Sequence, residues 1–188
     1  MTTATGSPVS ERHAWYVVWL CMVAYIFSFI DRQILALLIG PIQADLGITD
    51  TQFGLLHGLA FSIFYATMGI PIATLSDRTS RPLIIAAGVA FWSLATAACG
   101  VARGFTQMFI ARICVGAGEA ALSPATYSLI SDLMPREKLG RAVALYSLGS
   151  FLGAGIAFLV GGSVIAMVSG DGPRMIAGME FKPWQLVF

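Results

Sequence analysis

Four charged side chains interrupt runs that are otherwise apolar: Asp31, Arg32, Arg112 and Glu119. Inside a membrane helix such a residue costs roughly 2.5–3.5 kcal/mol near the bilayer centre. Folding alone does not require that cost, so the four are expected to face a bundle interior or a water-filled cavity. Arg112 and Glu119 are seven residues apart. Two helical turns put them on one face about 10 Å apart along the axis, where they line one cavity without bonding each other. Asp31 and Arg32 are adjacent and diverge by about 100°, so at least one must find a partner on another helix. Asp31 with Arg112 is a candidate pair. A carboxylate near the membrane middle suits proton carriage, because desolvation favours the protonated form and a close guanidinium favours the ionised form. A change of partner during a conformational cycle would take up a proton on one side and release it on the other. That is the functional reading of Glu119 and Asp31; a fixed buried ion network that only sets helix register competes with it. Arg112 either tunes a carboxylate or binds an anionic group.

Weaker candidates surround these four. His57 lies near the outer end of its helix and reads as an interfacial histidine rather than a proton relay. Phe27, Phe29, Phe61, Phe64, Tyr65 and Tyr127 could line a site for an amphiphile, or simply pack. Cys21, Cys99 and Cys114 sit inside apolar runs without metal-ligand spacing and read as reduced packing residues. No nucleophile–base pair, HExxH or phosphate-cradling loop is present, so an enzyme is not expected, and neither a metal nor a cofactor.

The elements that hold these residues follow from composition. Of 188 residues, 57% are hydrophobic and 11% charged, and the mean hydropathy is +0.79. A soluble domain is typically about 25% charged, so most of this surface faces something other than water. A net charge of +1 leaves no footprint for nucleic acid. A hydrocarbon core about 30 Å thick needs ~20 apolar residues in a helix, the structure that satisfies its own backbone in lipid. Five stretches qualify, at about 15–39, 50–77, 83–102, 106–133 and 142–168. A sixth begins at Pro183-Trp184 and is cut off at Phe188. The chain is therefore read as an all-α polytopic membrane protein. Residues 1–14 form a polar tail without the layout of a cleaved signal peptide, and residues 15–188 form a transmembrane bundle.

Basic residues in the connecting segments set the orientation. With the N-terminus cytoplasmic, the inside holds Arg12, Arg78, Arg81, Arg136, Lys138 and Arg141, and the outside holds Arg103, Arg174 and Lys182. The expected location is the cell (inner) membrane, multi-pass. The GxxxG spacings Gly54/Gly58 and Gly149/Gly153, with Gly116, Gly118, Gly155, Gly161 and Gly162, offer small surfaces for close helix approach. Pro71 and Pro124 mark candidate kinks.

The segment Ala73-Thr74-Leu75-Ser76-Asp77-Arg78-Thr79-Ser80-Arg81 resembles the signature Gly-x-Leu-x-Asp-Arg-x-Gly-Arg-Lys of the major facilitator superfamily. Ala73, Ser80 and Pro82 stand where that pattern has Gly, Gly and Lys. Arg112-x-x-x-Gly116-x-Gly118-Glu119-Ala120 resembles the superfamily's fourth-helix motif, and Ser131-Asp132-Leu133-Met134-Pro135 with Arg141 its loop between helices four and five. The fifth helix departs from the antiporter pattern, with Ala154 after Gly153 where Gly-Pro is expected. Asp31-Arg32, the run Asp45 to Leu56 and Gly116 to Ala120 together look like the spinster branch of sphingolipid and lysolipid transporters.

The resemblance implies twelve helices in two six-helix halves with inverted three-helix repeats. This chain would supply the N-terminal bundle, through the start of helix six, and its partner would be the C-terminal half of the same transporter. Asp77, Arg78 and Arg81 would form a cytoplasmic gate latch, the carboxylate meeting a helix N-terminus of the other half. Asp31 and Glu119 would handle protons or a cationic amine, while Arg32 and Arg112 hold an anionic headgroup or tune the carboxylates. The implied activity is secondary transport of a lipid-like amphiphile by rocker-switch alternating access, with a proton gradient as a candidate driving force. Transport of small organic anions or drugs is the alternative.

Overall fold

A computed structural model describes residues 10–76, 78–170, 174–176 and 179–188. Its helices α1 (Glu11–Leu37), α2 (Ile39–Leu46), α3 (Asp50–Gly54), α4 (Ala60–Ser76), α5 (Arg81–Gly100), α6 (Phe105–Glu119), α7 (Leu122–Leu133) and α8 (Arg136–Gly170) are followed by strands β1 (Arg174–Ile176) and β2 (Met179–Phe181). A 3₁₀ turn, Pro183–Val187, ends the chain.

Local chemistry explains the boundaries. Ser10 caps α1 by accepting from the His13 N–H, so the first helix starts four residues before the apolar run at Trp15. Gly47 closes α2 with φ 63°, the left-handed geometry that a glycine adopts without steric cost. Thr49 and Gln52 then form a capping box that starts α3. A π turn over Leu55–Leu59 joins α3 to α4, so Asp50–Ser76 runs as one span despite Pro71. The fourth span breaks between Glu119 and Leu122, where α6 gives way to α7. Pro124 lies in the first turn of α7 and has no N–H to offer the Ala120 carbonyl, which accounts for the break.

Five spans are long and apolar enough to cross a membrane: Glu11–Leu37, Asp50–Ser76, Arg81–Gly100, Phe105–Leu133 and Arg136–Ala166. They coincide with the five stretches read from the sequence. The fourth is the most buried and forms the bundle centre, while the others present apolar side chains outward, Phe151 and Leu159 among them. α1 packs along α8, and α6 is flanked by α4 and α5.

Glycine makes those contacts possible, though not at every position with the right spacing. A Cβ on Gly149 would lie 2.9 Å from the Met22 carbonyl oxygen, and one on Gly153 2.6 Å from that of Ile26. The close approach expected at Gly149 and Gly153 is therefore present, and the structure makes it a seam between the first and fifth spans. Gly54 and Gly58, with the same spacing, have no neighbour within 4 Å, and Gly155 and Gly162 are equally open. Their spacing reports no helix contact here.

The hairpin β1–β2 was not legible in the sequence. Beyond it, Trp184 is buried in the main apolar cluster, with Ile42, Phe53, Cys99 and Met108. Its indole N–H donates to Asp45 Oδ2 at 3.0 Å, and Lys182 forms an ion pair with Asp45 Oδ1. The chain entering the sixth segment is thus pinned over the Asp45 end of the bundle.

Candidate functional site

Two glycines set the geometry of the interior charges. Gly116 faces α4, where a Cβ would stand 2.6 Å from the Phe61 carbonyl oxygen, and Gly118 faces α5, 2.9 Å from the Trp92 backbone nitrogen. The motif Arg112-x-x-x-Gly116-x-Gly118-Glu119 thus carries its charges on a helix that both neighbours approach at backbone distance. Arg112 and Glu119 are each 1% exposed.

Glu119, the last residue of α6, meets Arg32 of α1. Arg32 Nη2 lies 2.6 Å and Nε 2.8 Å from Glu119 Oε2, so the guanidinium grips a single carboxylate oxygen with two donors. The Ser28 hydroxyl donates to the same oxygen at 2.6 Å and accepts from Arg32 Nη2 at 3.2 Å. The Glu119 carboxylate is fully buried, while the Arg32 side chain keeps 22% of its surface exposed. Phe29, Phe61 and Tyr65 surround the guanidinium, with ring centroids 4.9, 4.6 and 5.0 Å from its carbon. Cations over aromatic faces in desolvated settings gain about 2 kcal/mol or more. The other face of this arrangement belongs to Arg112, whose guanidinium lies 5.6 Å from the Phe61 ring. Arg112 Nε and Nη1 and Glu119 Oε1 are buried without a hydrogen-bond partner.

Asp31 goes elsewhere. It accepts from Thr96 Oγ1 of α5 at 2.8 Å and lines a cavity of about 330 Å³ between α1 and α5, with Phe27, Trp92 and Ser93. The candidate pair Asp31 and Arg112 feel each other's charge without closing an ion pair; the direct bonds are Thr96 to Asp31 and Arg32 to Glu119. The reason is the angular divergence of adjacent helix positions: Arg32 faces α4 and α6, and Asp31 faces α5. Asp31 and the Arg32–Glu119 pair thus face different walls of the bundle, with Arg112 two turns from Glu119 along α6.

The aromatic candidates divide in the same way. Phe29, Phe61 and Tyr65 belong to the Arg32 cage. Phe27, on the Asp31 side, is 62% exposed. Tyr25 stacks on Tyr146 at 4.6 Å and meets Phe29 edge-on, and Tyr127 meets Tyr146 edge-on, so rings from α1, α7 and α8 continue the cage. Tyr25, Tyr146, Ser28 and Thr96 were not singled out from the sequence. Ser28 had a signal, since it stands one helical turn before Arg32 and so shares its face. Thr96 had none.

The loop motif lies at the far ends of α4 and α5. Asp77 lies outside the described residues, and Arg78 is exposed. Arg81 Nη1 pairs with Asp132 Oδ2 of α7 at 2.6 Å, and its Nε donates to Ser128 at 3.1 Å. This joins two of the sequence motifs, the loop after the second span and the Ser131-Asp132 segment. The N-terminal ends of α8 and α1 are tied by an ion pair between Lys138 and Glu11. His57 is exposed and stacked beside Phe53. The three cysteines are free, with Cys21 and Cys99 buried among apolar neighbours.

This arrangement has close structural relatives. A crystal structure of a bacterial homologue of the human lysosomal transporter spinster, in an inward-facing and occupied conformation, superposes with a TM-score of 0.86 at 33% identity, covering 95% of this chain and 41% of that one. The spinster protein of Drosophila melanogaster is 30% identical over 150 residues, 80% of this chain and 25% of that protein. A probable L-galactonate transporter of Escherichia coli is 31% identical over 137 residues, 73% of this chain and 30% of its own length. The chain therefore spans well under half the length of these relatives. The major facilitator superfamily model matches residues 21–188. With five apolar spans, a buried Arg–Glu pair on the first and fourth of them, and that match over most of its length, the chain belongs to the major facilitator superfamily, whose members are membrane transporters.

Proposed function

We propose that this chain is the N-terminal bundle of a secondary transporter that moves a lipid-like amphiphile by rocker-switch alternating access, with its N-terminus in the cytoplasm of the cell. The observation that carries this reading is the Arg32–Glu119 pair inside its aromatic cage. A partly exposed guanidinium gives an anionic headgroup a partner, and the surrounding rings give an apolar body a surface. When headgroup and carboxylate compete for Arg32, substrate entry loosens Glu119 and opens it to a proton. Substrate and proton are then coupled through one guanidinium. Arg112 sits one ring away and Asp31 on the neighbouring face of α1, each able to change partner as the halves rock. Arg78 and Arg81, with Asp77, act as the cytoplasmic latch. The likeness to spinster proteins over most of this chain supports the lipid substrate.

Uptake of a labelled lysosphingolipid by the full-length protein in proteoliposomes, with and without an imposed pH gradient, tests the proposal. Gradient-driven uptake that Glu119→Gln makes independent of pH, with the protein still folded, is the expected result. Uptake whose pH dependence survives Glu119→Gln removes Glu119 from the proton path.

A second reading, transport of small organic anions, draws on Arg112. Its Nε and Nη1 are buried and unpartnered, as an anion anchor requires, and the L-galactonate relative points the same way. Competition separates the two: sugar acids displace substrate from a small-anion site, and lysolipids do not.

A further inference from the structure

Ser28 has no part in the sequence motifs, yet it is the residue that touches both members of the buried pair. It sits on α1 one turn before Arg32, is 1% exposed and turns its hydroxyl away from its own helix. A buried serine in a helix commonly bonds the carbonyl four residues back. Ser28 instead donates to Glu119 Oε2 and accepts from Arg32 Nη2. Alanine does neither of these, and among small side chains a hydroxyl does both at once.

We propose that Ser28 is a positioning residue that holds Glu119 in the ionised, Arg32-bound arrangement, and so sets how readily the buried carboxylate takes a proton. This rests on the transport reading only for its consequence; the positioning role is a property of the bundle. The geometry fixes how it works. Oε2 receives three donors, from Ser28 Oγ, Arg32 Nε and Arg32 Nη2, while Oε1 is buried without any. A proton arriving at Oε1 leaves the donors on Oε2 in place, weakened by loss of the negative charge. Each donor on Oε2 therefore resists protonation, and each one removed makes it easier. Besides Arg32, the charged group acting on Glu119 is Asp31 of α1; Tyr65 of α4 lies beyond Arg32, and Arg112 of its own helix lies against Phe61 and acts on Asp31. None of them bonds the carboxylate, which leaves Ser28 and Arg32 as its direct partners among the described residues.

A carboxyl-directed carbodiimide gives the test without using transport. Dicyclohexylcarbodiimide partitions into the membrane and reacts with a protonated carboxyl group. Labelling of Glu119 is followed by peptide mass spectrometry on the full-length protein in liposomes, as a function of pH, for the native chain, Ser28→Ala and Ser28→Thr. A hydrogen bond to a charged group is the interaction lost, so Ser28→Ala is expected to label roughly tenfold faster at neutral pH. Ser28→Thr, which keeps the hydroxyl, labels at the native rate. Equal rates for Ser28→Ala and the native chain overturn the proposal, as does a threonine variant that behaves like alanine while both melt at the native temperature. In parallel, gradient-driven uptake is compared with substrate exchange at equal pH. If the native protein transports no lysolipid, the transport reading fails, while the labelling result still decides the role of Ser28.

Discussion

Two Arg–carboxylate pairs in this bundle have nearly the same chemistry. Arg32 with Glu119 and Arg81 with Asp132 both close to 2.6 Å, and each arginine is also bonded to a serine, Ser28 in one case and Ser128 in the other. Their surroundings differ. The Glu119 carboxylate is fully buried beneath aromatic rings, whereas half of the Asp132 side chain is open at the end of the bundle. In water a charged pair gains little, because solvent competes for both partners and salt screens what remains. In a dry interior neither partner can be removed without stranding the other. The same pair of residue types is therefore costly to strand in one place and cheap to break in the other.

The largest effect that sharpens this contrast is removal of one buried partner. Glu119→Ala leaves the Arg32 guanidinium with its main counter-charge gone, and should cost about 3–5 kcal/mol of stability. Thermal unfolding of the full-length protein in detergent measures it. Replacing Arg32 and Glu119 together should cost less than the sum of the single changes, because the double variant strands no charge. If the single and double variants simply add, the two residues are not a coupled pair and the contrast with Arg81–Asp132 collapses.

The next effect tests what keeps the inner pair together. Gly116 brings the Phe61 backbone against α6, and Phe61 is part of the Arg32 cage. Gly116→Val forces a methyl-bearing carbon toward a carbonyl oxygen that leaves it only 2.6 Å, so α4 must withdraw. Overpacking of this kind typically costs about 1–3 kcal/mol. The same change at Gly54, open to beyond 4 Å, should leave unfolding close to native. Matching losses at the two positions would mean that helix propensity, and not backbone approach, is what glycine supplies here.

These contrasts also mark how far the sequence could be read. The five spans were legible because hydropathy over a long window is an additive property, insensitive to which neighbour a helix meets. That Asp31, Arg32, Arg112 and Glu119 fall inside those spans followed from the same count. Which of them pair did not, since Asp31 with Thr96 and Arg32 with Glu119 depend on how three helices are rotated about their axes, a property of packing that one sequence leaves open. The glycines tell the same story. Gly149/Gly153 and Gly54/Gly58 are identical in spacing, and only the first pair has a helix against it. The β1–β2 hairpin lacked any period-2 run long enough to stand out, at three residues per strand.

The smallest effect belongs to the outer pair, and salt is its most direct probe. Arg81→Ala should change unfolding of the folded chain by no more than about 1 kcal/mol, because its guanidinium and the Asp132 carboxylate are both partly exposed to solvent. Raising the ionic strength from physiological to 1 M shortens the screening length from about 8 to about 3 Å. Under that change the native chain and Arg81→Ala should converge, since screening removes the one electrostatic contact that distinguishes them. Glu119→Ala should keep its deficit in high salt, because ions do not reach a fully buried carboxylate bonded by Ser28 and Arg32. A deficit at Glu119 that salt erases would place that carboxylate in contact with solvent, and would move the Arg32 pair into the same class as Arg81. A deficit at Arg81 that persists in 1 M salt would show the reverse, a contact held by packing against Ser128 rather than by charge.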